Sequence, residues 1–109
     1  AYWSGYRNWP AEKLVLGLPL YGRNFNDGGT SLAYRLILAD TPAVALADYH
    51  DRVYYNGRPT IEAKARYVSE REFAGVMLWQ IAHDTTATEL SLTAAVADVF
   101  ACDVAPEGC

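Results

Sequence analysis

Residues 75–84, GVMLWQIAHD, constrain the fold more than any other stretch of this chain. The run is apolar through Val76, Met77, Leu78 and Trp79, then turns polar at Gln80, His83 and Asp84. A short apolar run opened by glycine and closed by polar residues predicts a strand buried on both faces. Strands of that kind belong to parallel sheets covered by helices, where the usual in–out alternation is lost. Trp79 sits late in the run, at the end where parallel α/β folds build their sites. A lone tryptophan there is ordinarily core. A second stretch of the same design shifts the weight.

That second stretch is residues 14–21, LVLGLPLY, followed at once by Gly22 and Arg23. Pro19 cannot donate to a ladder, which is tolerable only toward a strand's end. Turn chemistry follows over residues 24–29, strongest at Asp27-Gly28. Residues 31–40, SLAYRLILAD, predict a short helix capped by Ser31 and ended by Thr41-Pro42. Residues 53–55 predict a short strand closed by Asn56-Gly57. Residues 60–71 predict the clearest helix, with Thr60 as its cap, Ile61, Ala65 and Val68 as its buried stripe, and a Glu62–Arg66 pair outside. Beyond the organising strand, Thr86 and Glu89 have capping-box spacing. Leu92, Val96, Val99 and Phe100 then recur at helical intervals. The order is strand, small insertion, helix, strand, helix: a βαβα unit with an excursion in its first connection.

Composition narrows the function classes. A chain of 109 residues with a net charge of −4 and a pI near 5.0 has no basic patch to track nucleic acid. No apolar run approaches the roughly 20 residues of a membrane span, and no basic segment leading into an apolar one marks a signal peptide. No metal site or cofactor motif is expected, since His50 and His83 stand alone without cysteine or histidine at ligand spacing. Cys102 and Cys109 both fall in the last eight residues. They suit a small disulfide loop, which would imply an oxidising compartment; two unrelated surface thiols are the other reading.

Parallel strands present their C-terminal ends on one side, so Tyr21-Gly22-Arg23 and Trp79-Gln80 are expected on a common rim. The aromatic faces of Trp79 and Tyr21 suit the apolar C–H groups of a sugar ring, and Arg23 and Gln80 can partner its hydroxyls.

These same stretches resemble glycoside hydrolase family 18, the chitinases and their relatives. KLVLGLPLYGRNF, residues 13–25, is similar to the family's seventh strand. YYNGRPTIEAKARYV, residues 54–68, and GVMLWQIAHDT, residues 75–85, are similar to its last helix–strand unit, and SLTAAVADVF, residues 91–100, to its closing helix. The short connection over residues 24–53 resembles members without the large α+β insertion. The resemblance implies an α/β fold comprising the last two βα units of a (β/α)8 TIM barrel, incomplete in this chain. Residues 1–101 would then be the C-terminal part of the catalytic domain and residues 102–109 a tail.

By this resemblance Trp79 forms the floor of the subsite holding the N-acetylglucosamine whose bond is cut, and Tyr21 and Arg23 line the same cleft. Gln80 and Asp84 are expected as support. The implied partners are chitin or N-acetylglucosamine oligosaccharides and the remaining N-terminal part of the barrel, and the implied setting is secreted or periplasmic. The family's hydrolysis is substrate-assisted, outside the usual two-carboxylate scheme. A Glu protonates the leaving oxygen while the substrate's acetamido oxygen attacks the anomeric carbon. The acids come from a D-x-x-D-x-D-x-E pattern, and among the thirteen Asp and Glu residues no such run exists. Asp48 and Asp51 begin it, but Val53 and Tyr55 follow. The chain alone is expected to be inactive. A non-catalytic carbohydrate-binding relative is the alternative, and a self-contained small α/β domain with core aromatics ranks last.

Overall fold

The computed structural model describes residues 9–39 and 41–104. Its two longest strands, β1 (Val15–Pro19) and β6 (Gly75–Trp79), pair in parallel, with Val15 opposite Gly75 and Pro19 opposite Trp79. Between them lie four short strands and two helices: β2 (Tyr21–Asn24), β3 (Thr30–Ala33), α1 (Tyr34–Ile37), β4 (Tyr49–His50), β5 (Val53–Tyr54) and α2 (Arg58–Glu70). Helix α3 (Leu92–Val104) closes the order and packs beside α2. The expected βαβα unit is formed, and its excursion carries a four-stranded antiparallel sheet of its own, ordered β3-β2-β5-β4.

The expectation that β1 and β6 are buried on both faces is not met. Leu16, Leu18, Val76 and Leu78 pack toward the core that α2 and α3 share, around Ile61, Ala65, Leu92 and Ala95. The alternate residues Val15, Met77 and Trp79 are 57%, 51% and 57% exposed. Helices cover one face of a parallel sheet; in a barrel the other face is covered by further strands. Two strands cannot enclose themselves, so the apolar second face stands open, as in a partial barrel.

Residues 31–40 do not form one helix. Ser31 pairs with Arg23 in the β2–β3 hairpin, so it cannot cap, and α1 is a single turn beginning at Tyr34. The expected turn is present, with Gly28 in the left-handed region at φ 66° and the Asn24 side chain accepting a hydrogen bond from the Asn26 N–H at 3.0 Å. A second hairpin joins β4 to β5 through Asp51 and Arg52, at φ 47° and 63°. Left-handed conformation at both central residues matches the twist of the flanking strands. Two buried tyrosines hold the insertion, one to the loop before α3 and one within itself. The Tyr34 hydroxyl donates to the Leu90 carbonyl at 2.7 Å and the Tyr55 hydroxyl to that of Val44 at 2.6 Å. Burial pushes both phenols up from their ordinary value, with nearby Asp84 and Asp48 adding to the effect respectively.

Helix α2 starts two residues before the expected Thr60 cap, at Arg58, with Gly57 as N-cap and Pro59 in the first turn. The cap comes from elsewhere. Asp48 accepts from the Gly57 N–H at 2.8 Å through one oxygen and from the Thr60 hydroxyl at 2.6 Å through the other. This places a carboxylate where the first turn's free N–H groups and the helix dipole favour it. Arg58 bridges the two helices: its Nε donates to the Ser91 carbonyl at 3.0 Å, and its guanidinium lies 3.6 Å from Glu62 and 3.7 Å from Asp98. The expected Glu62–Arg66 pair is present at 3.6 Å.

The capping box expected at Thr86 and Glu89 is not used either, because α3 begins at Leu92. Its start is held by Asp84, a 9% exposed carboxylate. Oδ1 accepts from Leu92 N–H at 3.0 Å, and Oδ2 accepts from Thr93 N–H at 2.8 Å and from the Ser91 hydroxyl at 2.7 Å. Ser91 Oγ in turn accepts from Ala94 N–H at 3.0 Å. Burial alone would raise the Asp84 pKa, but the hydrogen bonds from Ser91, Thr93 and Leu92 together outweigh it and hold the carboxyl below its ordinary value. The expected Cys102–Cys109 disulfide involves Cys109, which lies outside the described residues.

Two outcomes are expected in the intact barrel. A Cβ at Gly57 would overlap the Ala47 carbonyl oxygen and lie 2.7 Å from that of Ala45, backbone atoms that cannot step aside. Gly57→Ala is therefore expected to cost about 1–3 kcal/mol, read as a lowered denaturant midpoint. Because the Asp84 pKa is lower folded than unfolded, its contribution is fully present above about pH 4 and is lost as pH falls through the folded value. Asp84→Asn should flatten the acid limb of stability against pH and lower the neutral plateau by about 1–2 kcal/mol, because an amide nitrogen cannot accept from the donors that face one of the two Asp84 oxygens. An acid limb identical to wild type would remove Asp84 from this role.

Candidate carbohydrate-binding site

The site is set by where β1 stops. Pro19 is the last residue of β1, and its neighbour Leu20 adds one more ladder bond, donating its N–H to the Trp79 carbonyl at 2.7 Å. The Leu20 carbonyl then accepts from Tyr34 N–H at 3.0 Å, so the chain leaves the parallel pair and enters the insertion sheet at this residue. Tyr21, the first residue of β2, thus emerges beside the C-terminal end of β6. The Trp79–Gln80 peptide bond is cis.

An open depression of about 230 Å3 forms there, lined by Gly17, Leu18, Pro19, Tyr21, Met77 and Trp79. The Trp79 ring is more than half exposed, and Tyr21 is half-buried. The structure brings these two expected site residues together. Arg23 is two residues along the same face of β2; its guanidinium carbon lies 5.9 Å from the centre of the Tyr21 ring and Nη1 donates to the Gly29 carbonyl at 3.3 Å. Gln80 is exposed next to Trp79, and its backbone carbonyl accepts from His83 N–H at 2.8 Å. Asp84 does not line the depression and serves as the buried cap of α3.

Other residues were not expected here, Met77, Gly17 and His83 among them. Met77 and Gly17 line the depression; Met77 precedes Trp79 by two, and the strand's period of two places both on one face. That spacing was available in the sequence. The His83 ring, for which no role is expected from sequence, packs edge-on against Tyr21 at 6.2 Å between ring centres and 85° between planes. It backs the tyrosine from the loop side. The arrangement offers apolar ring faces, a guanidinium and an open approach, which suit stacking and hydrogen bonding to a neutral polyhydroxylated ring. Among the described residues no carboxylate lines it, and no group of three His, Cys, Asp or Glu is placed to hold a metal ion.

Comparison with known proteins gives the same architecture. No protein-family model matches the chain, and no curated protein sequence is detectably similar to it. Among solved structures, a family 18 chitinase of Flavobacterium johnsoniae superposes with a TM-score of 0.81 at 37% identity, over 91% of this chain and 31% of that one. A chitinase of Bacteroides thetaiotaomicron matches with a TM-score of 0.76 at 30% identity, over 90% of this chain and 35% of that one. A human pseudo-chitinase, described as retaining chitooligosaccharide binding, matches with a TM-score of 0.64 at 20% identity, over 92% of this chain and 38% of that one, a likeness of fold. The chain spans about a third of the length of these structures. With its strands in this order, its second sheet face open and about nine-tenths of its length matched, the chain is a segment of a glycoside hydrolase family 18, chitinase-like barrel.

Proposed function

We propose that the full barrel binds and hydrolyses β-1,4-linked N-acetylglucosamine polymers, and that this segment supplies the floor of the sugar site. The observation that carries the reading is the half-exposed Trp79 at the C-terminal end of β6, sharing one depression with Tyr21. Trp79 stacks beneath the sugar ring at the cleavage point. Tyr21 and Arg23 line the cleft and contact the sugar or its N-acetyl group. Gln80 supports them, and Asp84 supports them at one remove by fixing α3 below the rim.

The catalytic acid is supplied by the part of the barrel N-terminal to this segment, since these residues contain no D-x-x-D-x-D-x-E run. Hydrolysis there is substrate-assisted and retaining: the Glu protonates the leaving oxygen while the acetamido oxygen attacks the anomeric carbon. The segment by itself is inactive. A secreted or periplasmic setting fits a polymeric, extracellular substrate. A non-catalytic carbohydrate-binding protein is the second reading, because the sugar floor and the acid lie in different parts of the barrel and one can be lost without the other. The human pseudo-chitinase with this fold is described as a protein of that kind.

Titration calorimetry with the N-acetylglucosamine tetramer tests the site in the full barrel. Trp79→Ala is expected to weaken binding by at least about tenfold, equivalent to about 1.4 kcal/mol, with little change in thermal midpoint because the ring is an exposed one. Unchanged affinity would take Trp79 out of the site. Release of new reducing ends from the tetramer selects the hydrolase; binding without release selects the second reading.

A further inference from the structure

The outer face of the insertion sheet continues the aromatic surface beyond the Trp79 depression. Tyr21 and Arg23 lie on one face of β2; Tyr54 is the register partner of Arg23, and Tyr49 is the partner of Tyr54. Register partners in an antiparallel pair project to the same side, so Tyr21, Arg23, Tyr54 and Tyr49 form a row running away from Trp79. Phe25, just past β2, closes the row. Its ring meets Tyr54 edge-on at 5.5 Å and 81°, and Tyr49 lies against Tyr54 at 4.8 Å and 57°.

Tyr54 thus meets both other rings, and yet Phe25, Tyr49 and Tyr54 remain 48%, 49% and 57% exposed. With Arg52 at the hairpin tip they line an open recess of about 370 Å3. Contiguous exposed aromatics of this kind mark a binding surface rather than a core. The sheet behind them is firmly seated: a Cβ at Gly22 would meet the Tyr54 carbonyl oxygen at 2.7 Å, and Val53 and Tyr55 on the opposite face are buried. The lining is aromatic carbon with two phenol hydroxyls and one guanidinium, and it contains no carboxylate. It suits the apolar face and hydroxyl rim of a neutral pyranose better than a cationic partner. It is also continuous with the first site, because Arg23 leans over Tyr21 on one side and adjoins Tyr54 on the other.

We propose that Phe25, Tyr49 and Tyr54 form a second saccharide platform, which takes units of a β-1,4-linked N-acetylglucosamine chain lying beyond those held at Trp79. The proposal rests on the reading of Trp79 as the sugar floor, and it adds a preference for long chains that Trp79 alone does not provide. The test uses the full barrel and compares affinities for the N-acetylglucosamine dimer and hexamer. The unmutated protein should bind the hexamer more tightly. Tyr54→Ala and Tyr49→Ala should each lower the hexamer-to-dimer affinity ratio roughly three- to tenfold, and Tyr54→Phe, which keeps the ring, should preserve it. Trp79→Ala should weaken both ligands together.

An unchanged ratio in both alanine variants overturns the platform while leaving the Trp79 site standing. A lowered thermal midpoint with an unchanged ratio also overturns it, and identifies the cluster as a surface that the remainder of the barrel covers. If the unmutated protein binds neither oligosaccharide, the sugar reading of Trp79 fails and the platform fails with it.

Discussion

The parallel register of β1 against β6 is the constraint from which the rest of the segment follows. It sets Pro19 opposite Trp79 and lets the Leu20 N–H extend the ladder past a proline that has none to give. The same register puts Leu16, Leu18, Val76 and Leu78 on the helix side and Val15, Met77 and Trp79 on the other. A slip of one residue would exchange the two sets and drive the Trp79 indole into the helix layer. Because only Leu20 separates β1 from β2, the position of Tyr21 is inherited from this pairing too.

Helix position, by contrast, depends on carboxylates that lie outside the helices. Asp48 holds the first turn of α2 and Asp84 that of α3, each from a connecting segment. Asp84 is the more consequential of the two, being buried and accepting from two backbone N–H groups and a hydroxyl of the helix start. The loop that follows Trp79 is therefore pinned at both ends: by the β6 ladder on one side and by the α3 cap on the other. Arg58, Tyr34 and Tyr55 complete the lacing of helices and insertion. The result is a rim whose aromatic residues are held by parts that do not line the depression.

Features set by short-range pattern were legible in the sequence. The two long strands, the strand at Val53, the buried stripe of α2 and that of α3 all come from apolar spacing within a dozen residues, and the structure has each of them. What failed depended on partners distant in sequence. Thr60 looks like a cap from its neighbours, but its hydroxyl is drawn to Asp48, twelve residues away. Ser31 has good cap chemistry, yet Arg23 claims it for a hairpin, and Leu32 and Ala33 follow it into the strand. The turn at Asp51 and Arg52 is not legible from its residues, because arginine carries no signal for positive φ and only the strand pairing around it demands that conformation. At the site, the joint placement of Trp79 and Tyr21 was readable from strand ends, whereas the placement of Asp84 was not. A carboxylate five residues beyond a strand reads equally as a cleft residue or a cap until the helix start is seen.

The open second face of β1 and β6 separates what the barrel must cover from what it must leave free. Strand rise of about 3.3 Å per residue puts Val15 roughly 13 Å below Pro19 and Trp79 along the pair. In a closed barrel the interior is filled by layers of side chains contributed by alternate strands. Val15 lies at the lower level and is enclosed by any set of strands that closes the ring, while Met77 occupies the level between. Trp79 is the last residue of its strand, so closure raises walls around it without placing a layer on top. The exposure seen at the two ends of the same face therefore has two meanings. At Val15 it is apolar area awaiting the missing strands, and its burial contributes to closing the barrel. At Trp79 the strand ends, and no later residue of β6 lays a further layer above the ring.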